Sequence, residues 1–361
     1  MTKRERQLLN WIEENPMISQ QELAERAGIT RSSVAVHISN LMKKGCIAGR
    51  GYIVQNTSYV TVAGGVNVDI GGWPVGDNLV ARDSNPGVVK TSLGGVGRNI
   101  AHNMSLLGLD VRLVTAFGDD VSAQKLAASC GELGIDISQS PIIHGGRTST
   151  YLFINGSDGD MAVAVSDMEI YNHLTPQVLA QRLNLFNGSQ AVVLDTNLPA
   201  ESIVWLAENC TAPIFADPVS TVKAEKLRPI LGKLHTLKPN RLEAELLAGV
   251  PITGEASLRE AADVLLETGL RRVFISLGAG GAYAASREGS CRLPVMPAEA
   301  VNTTGCGDAF MAAITWAYLQ GTGLEDTLRA GLAASAIAME SAETINPVMS
   351  EANLCDRIAA V

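Results

Sequence analysis

Cysteine is sparse, and none of it is paired along the chain. The six cysteines, at positions 46, 130, 210, 291, 306 and 355, form no CxxC pair. That excludes a zinc or disulfide framework and fits reduced thiols in a cytosolic protein. No apolar run is long enough to span a bilayer. The opening MTKRERQLLNWIEENP is charged throughout its first turns, unlike a signal peptide, so the expected location is cytoplasmic. Internal repeats and low-complexity tracts are absent, as is the P-loop signature GxxxxGK[ST]. Basic charge is also short: the net charge is −9. It is unevenly spread. Residues 1–58 hold eight Lys/Arg and five Asp/Glu, a balance of +3; 20 of the 28 basic and 32 of the 37 acidic residues remain for the rest, a balance of −12. An acidic body is a poor nucleic-acid surface, whereas the first segment can meet DNA. At 361 residues two domains are expected, and the patterns below divide them as 1–56 and 57–361.

Leu8, Leu9 and Ile12 share one face of a helix over residues 3–14, which Asn15-Pro16 stops. Ser19 opens SQQE, a capping box with Glu22, and Gly28 ends that second helix. Thr30 caps a third, with Val34, Ile38 and Leu41 inward, and Gly45 ends it. Gly45–Val54 reads as a short hairpin. Residues 3–55 thus resemble the winged helix-turn-helix DNA-binding domains of bacterial regulators. The resemblance makes the third helix the reader, with Arg31, Ser32, Ser33, Ala35, His37 and Ser39 exposed, and sets Lys43, Lys44 and Arg50 near phosphates. A small helical module that binds protein or merely packs is the alternative. A winged helix that reads two half-sites implies a homodimer.

Gln55–Ser58 is a polar linker, after which YVTVAGG begins an apolar strand. Further strands read at Val111–Ala116, Ala191–Asp195, Ile214–Asp217, Leu234–Lys238 and Arg272–Leu277. Helices read at Gly97–Leu107, Ser122–Leu133, Pro199–Asn209, Arg241–Ala248 and Ser257–Thr268. Strands alternating with helices imply an α/β fold with a parallel sheet covered on both faces. Thr148–Val165 instead reads as a hairpin about a Gly/Asp turn, a lid over a cleft.

Five elements carry chemistry. In VNTTGCGDAF (Val301–Phe310) a Gly-rich turn enters a helix, so free N–H groups and the helix dipole converge on an anion. Asp308 in that turn repels phosphate and reads better as a base taking a proton from an attacking hydroxyl; an ordinary helix N-cap is the other reading. LGGVGRNIAHNMSLLG (Leu93–Gly108) sets glycines before a helix carrying Asn99. In GGVNVDIGG, at the end of the first strand, Asn67 and Asp69 share a face, where Asp69 either accepts from vicinal sugar hydroxyls or caps turn amides. In KPNRLEAE, Asn240 and Glu243 share a helix face and either hold Mg²⁺ through water or form a plain N-terminal cap. SLGAGGAY puts Ser276 and glycines where a nucleotide phosphate or ribose fits.

In this order the elements resemble the ribokinase-like (PfkB) carbohydrate and nucleoside kinases over about residues 58–350. GGVGRN and TTGCGDAF match the two signatures of that family. SNPG before GGVGRNIA, DPVS, HTLKPNRLEAE and NVDI look like its pseudouridine kinase group. The resemblance implies a ribokinase-like parallel sheet sandwiched by helices, with a small β lid that includes about residues 148–165. It implies ATP and Mg²⁺, a nucleoside or sugar substrate, Asp308 as base, and an anion hole of Gly305, Cys306 and Gly307. Asn67, Asp69, Gly95 and Asn99 would hold the ribosyl group, and Asn85, Arg98 and Tyr151 are candidates for the base. Asn240 and Glu243 would organise Mg²⁺ and the ATP phosphates, and Ser276, Gly278 and Thr303 would line the ATP site. Two positions depart from the pattern. Cys306 stands where Ala or a similar small residue is usual, and Asn302 where ribokinases carry an Asp that helps bind a monovalent cation. Other ribonucleosides such as inosine or guanosine, a free sugar, or a regulator using the kinase fold as a ligand sensor remain alternatives.

Overall fold

A computed structural model describes residues 1–47, 58–75, 79–156 and 161–360. Helices α1 (Lys3–Glu14), α2 (Gln20–Ala27) and α3 (Arg31–Lys43) begin at the polar caps Thr2, Ser19 and Thr30. The reciprocal capping box lies at Thr2/Glu5. At Ser19 only the serine half forms, and the Glu22 carboxylate accepts from Arg26 instead. Leu8, Ile12, Leu23, Val34, Ile38, Leu41 and Ile47 close a small core of their own. The wing expected at Gly45–Val54 falls mostly outside the described residues, as does Arg50. Gly45 has φ 71°, and a methyl group there would come within 2.7 Å of the Asn184 carbonyl oxygen and 3.3 Å of Gly188 Cα. Among the described residues, this is one place where the helical module touches the body.

The body is built on strands β1 (Tyr59–Ala63), β2 (Asn67–Pro74), β3 (Gly87–Gly94), β4 (Asp110–Val114), β5 (Phe117–Gly118), β6 (Ile142–Ile143), β7 (Thr150–Asn155), β8 (Met161–Asp167), β9 (Ala191–Asp195), β10 (Ile214–Asp217), β11 (Thr236–Leu237), β12 (Arg272–Ser276), β13 (Ala282–Ser286) and β14 (Gly289–Leu293). Eight of them order as β14-β13-β12-β11-β10-β9-β1-β4. From β12 to β4 every pairing is parallel, and β13 and β14 add an antiparallel edge. β1, β9 and β10 are buried along their whole length, as strands covered on both faces must be. One core cluster, with Val62, Leu113, Phe310 and Leu332, lies on one face, and a second, with Leu194, Phe186, Leu227 and Leu265, on the other.

The lid is larger than the hairpin. It is a separate four-stranded sheet, β3-β2-β7-β8. Asn67 and Asp69 therefore belong to the lid strand β2, not to the end of the first strand, and residues 157–160 of the hairpin turn lie outside the described residues. The pairing partners Asp69↔Tyr151 and Gly71↔Phe153 put Tyr151 and Phe153 on the Asp69 face of this sheet, with Trp73 two residues on.

Candidate active site

The site forms where the parallel strands end and two helices begin. Gly95 precedes helix α4 (Val96–Leu106) with φ 97°, and a methyl group there would stand 2.5 Å from the Gly65 carbonyl oxygen. Only glycine permits that backbone approach. It brings Asn99, one turn into α4, against the helix Cys306–Leu319, where Asn99 Nδ2 donates to Asp308 Oδ2 at 2.9 Å. Asn99 Oδ1 is buried without a hydrogen-bond partner, an acceptor suited to a substrate hydroxyl. Gly305, φ 85°, opens the second helix, and a side chain there would run into the Thr344 carbonyl. The amides of Gly305, Cys306 and Gly307 thus sit in the first turn of a 14-residue helix beside Asp308, and no side chain caps them. Burial, together with the carboxylates of Asp217 and Asp195, pushes the Asp308 carboxyl up to about 7, against the opposing effects of Asn99 and Lys238. A carboxylate tuned this way is poised to take a proton near neutral pH.

Two residues of this cluster, Asp217 and Lys238, have no role assigned from the sequence. Asp217 ends β10, and Lys238 follows β11 in the next register position. Their charged groups are 2.9 Å apart and both side chains are buried. Lys238, Ser276, Gly278, Thr303, Cys306 and Gly307 together line a cavity of about 220 Å³ whose apolar wall includes Phe310, Leu332 and Met339. A further apolar cavity of about 300 Å³ lies apart, between β5–β6 and helix α5 (Val121–Glu132), and holds none of these groups.

In the lid, Asn67 Nδ2 donates to Asp69 Oδ1, and burial pushes the Asp69 carboxyl up to about 6. Beyond Asp69 the same face carries Tyr151, Phe153 and Trp73. Trp73 and Phe153 meet edge to face at 5.6 Å, Tyr151 lies 5.9 Å from Phe153, and Lys90 stands over Trp73 at 5.6 Å. The Tyr151 hydroxyl lies 3.2 Å from the Met161 sulfur. Of the three rings, only Tyr151 is a candidate from the sequence. The spacing signal for the others was the alternation through Trp73 and Phe153, visible once β2 and β7 are paired.

Several expected contacts are corrected. Arg98 does not reach the cleft: its guanidinium is buried, donating to the Leu93 carbonyl and to Ser129 Oγ at 3.0 Å each. The Asn85 amide is spent within its own loop, accepting from Val80 N–H and donating to the Val80 and Asp83 carbonyls. Asn240 and Glu243 form a reciprocal capping box, Asn240 Oδ1 accepting from Glu243 N–H and Glu243 Oε2 from Asn240 N–H. Among the described residues no group of three or more His, Cys, Asp or Glu could hold a metal ion directly. A single buried carboxylate suits a hydrated Mg²⁺ held mainly by substrate phosphates. At Asn302 the amide donates to the Ala342 carbonyl and accepts from Thr304 N–H.

On α3, Arg31, Ser32, Ser39 and Lys43 are exposed, whereas Ser33 and His37 are half-buried and the Ser33 hydroxyl bonds to Thr30. Val36, also exposed, joins this face. Lys44 is corrected: its ammonium is 2.7 Å from the buried Glu5 carboxylate, so its charge is matched within the module.

The pfkB family carbohydrate kinase model matches residues 58–351, and the winged helix-turn-helix DNA-binding model matches residues 1–48. The chain is 37% identical, over the full length of both proteins, to an Escherichia coli protein described as "uncharacterized sugar kinase YeiI". It is 36% identical to the pseudouridine kinase of Escherichia coli over 83% of this chain and 96% of that one. A carbohydrate kinase from Agrobacterium tumefaciens, 29% identical, superposes with a TM-score of 0.73 over 84% of this chain and 98% of that structure.

Proposed function

Given that the chain belongs to the PfkB family of carbohydrate kinases, we propose that it transfers the γ-phosphoryl group of ATP to the 5′-hydroxyl of a nucleoside, foremost pseudouridine. The observation that carries the reading is Asp308, held by Asn99 beside three helix-terminal amides. The hydroxyl oxygen attacks phosphorus, its proton passes to Asp308, and the amides of Gly305, Cys306 and Gly307 take the charge on the phosphoryl oxygens. Asn67, Asp69 and Asn99 hold the ribose. ATP lies along the cavity of Ser276, Gly278 and Thr303. Glu243 and Asn240 are the residues that would hold Mg²⁺ through water, and the ion would supply charge neutralisation of the ATP phosphates. Asn302 lacks the charge that an Asp would offer a monovalent cation, and both its polar atoms are engaged by backbone.

The 36% identity to a pseudouridine kinase and the aromatic row beyond Asp69 favour a nucleoside over a free sugar. Residues 1–56 form the DNA-binding unit and 57–361 the kinase in this reading. A dimer would suit both the paired half-sites and the lid face opposite Asp69, where Val89, Leu152, Val163 and Val165 are exposed. A second reading, a regulator that only senses ligand, draws on the winged-helix match, but a sensor has no need of a tuned base. The test is ATP-dependent phosphorylation across pseudouridine, uridine, inosine, guanosine, cytidine, adenosine, ribose and fructose, read by mass. A dominant product from pseudouridine is expected. A different nucleoside would change the substrate, and no product from any acceptor would favour the sensor.

A further inference from the structure

The buried Lys238–Asp217 pair takes no part in the transfer steps above, yet Lys238 lines the cavity beside Gly307. A methyl group on Gly307 would stand 3.1 Å from Lys238 Nζ. The ammonium therefore lies against the backbone of the proposed anion hole, with Asp308 one residue on. Its salt bridge is held from below. Asp217 Oδ1 accepts from Val219 N–H at 2.8 Å, and Val219 has φ +63°. A β-branched residue in the left-handed region is a costly conformation, retained only where the surroundings demand it. Burying an ion pair rarely adds stability against an apolar pair, so a strained turn that keeps this one in place points away from a purely structural role.

We propose that Lys238 is a catalytic residue that contacts the γ-phosphoryl group, and that Asp217 is the positioning residue that aims it. The inference rests on the reading that the Gly305–Gly307 turn receives that group. During transfer the acceptor oxygen bonds to phosphorus and the bond from phosphorus to the β,γ-bridging oxygen breaks, its electron pair leaving with ADP. The acceptor proton goes to Asp308. Lys238 keeps its protons throughout and follows the non-bridging oxygens as a point charge.

The test compares ATP and ADP binding by calorimetry in the full chain, beside turnover. Lys238→Met is expected to weaken ATP binding by about 10-fold or more, the effect of one charge-assisted hydrogen bond, and to leave ADP binding unchanged. With Asp308 faced by Asp217, Asp195, Lys238 and Asn99, losing the cation should also move the midpoint of the pH–rate profile upward. Because Lys238→Met leaves Asp217 buried and unpaired, the double variant Lys238→Met/Asp217→Asn keeps the measurement interpretable. A phosphate contact predicts that the ATP-specific loss persists in the double variant. Recovery of ATP affinity there, or equal loss for ATP and ADP, would overturn the proposal. The nucleotide comparison needs no acceptor, so absence of turnover with every nucleoside would count against the proposed function and leave this test standing.

Discussion

At the scale of single residues, the proposed role of Asp308 as base carries a cost in stability. Its carboxyl is raised from 3.8 to about 7 by burial and by neighbouring carboxylates. The folded state therefore holds a proton that the unfolded chain releases across that interval. The associated stability is complete below about pH 4 and is lost as pH rises through about 7. Catalysis needs the opposite form, so kcat/KM should climb through about pH 7 to a plateau. Asp308→Asn is expected to lower kcat by about 10²–10⁴-fold, the usual worth of a general base. The same variant should melt higher than the parent at pH 8, and the gap should close toward pH 4. Turnover within a few-fold of the parent would remove Asp308 as the base, whatever the melting curves do.

At the scale of elements, the proposed role of the lid is to select the acceptor. Tyr151, Phe153 and Trp73 extend the Asp69 row outward, the side on which the proposed nucleoside would carry its planar base. An aromatic contact of this kind is worth about 0.5–1.5 kcal/mol beyond its area. Trp73→Ala and Phe153→Ala should each raise the nucleoside KM by about 2–12-fold, with any turnover of ribose unchanged. Equal losses for nucleoside and ribose would assign these rings to lid packing alone. The lid is also where sequence reading was weakest, for a physical reason. β3 reads GVVKTSLG and is exposed over its first six residues, so no alternation of buried and exposed side chains marks it as a strand. By contrast β9, β10 and the helix Arg241–Ala248 were legible to the residue, because continuous burial or strong caps write their limits into the chain. The helix starts at Gly95 and Gly305 were legible because a Gly-rich turn before a helix is a local signal. Lys238 was not: its meaning comes from β10 and β11 lying side by side, which sets it next to Asp217, 21 positions earlier in the sequence.

For the whole molecule, the question is whether the two parts work separately. Every residue placed in the proposed kinase site lies beyond Gly64, and the helical module has its own closed core. One contact with the body is at Gly45 against Asn184 and Gly188, close to Tyr59, whose hydroxyl donates to the Leu185 carbonyl at 2.9 Å. Tyr59 opens β1, inside the main sheet, so a deletion must stop short of it. Removing residues 1–56 should leave kcat and KM within about twofold, since additivity holds for sites without shared partners. A folded but inactive product would make the module part of the catalytic unit. In the full chain, duplex affinity should fall steeply with salt, and Arg31→Ala and Lys43→Ala should each flatten that slope by about one unit. Lys44→Ala is the discriminating control. Its ammonium is matched by the buried Glu5 carboxylate, so its loss should leave the salt slope alone and lower the melting point of the module by stranding a buried charge. A flattened slope with unchanged melting would instead move Lys44 onto the DNA backbone and break the assignment of that pair to the helical core.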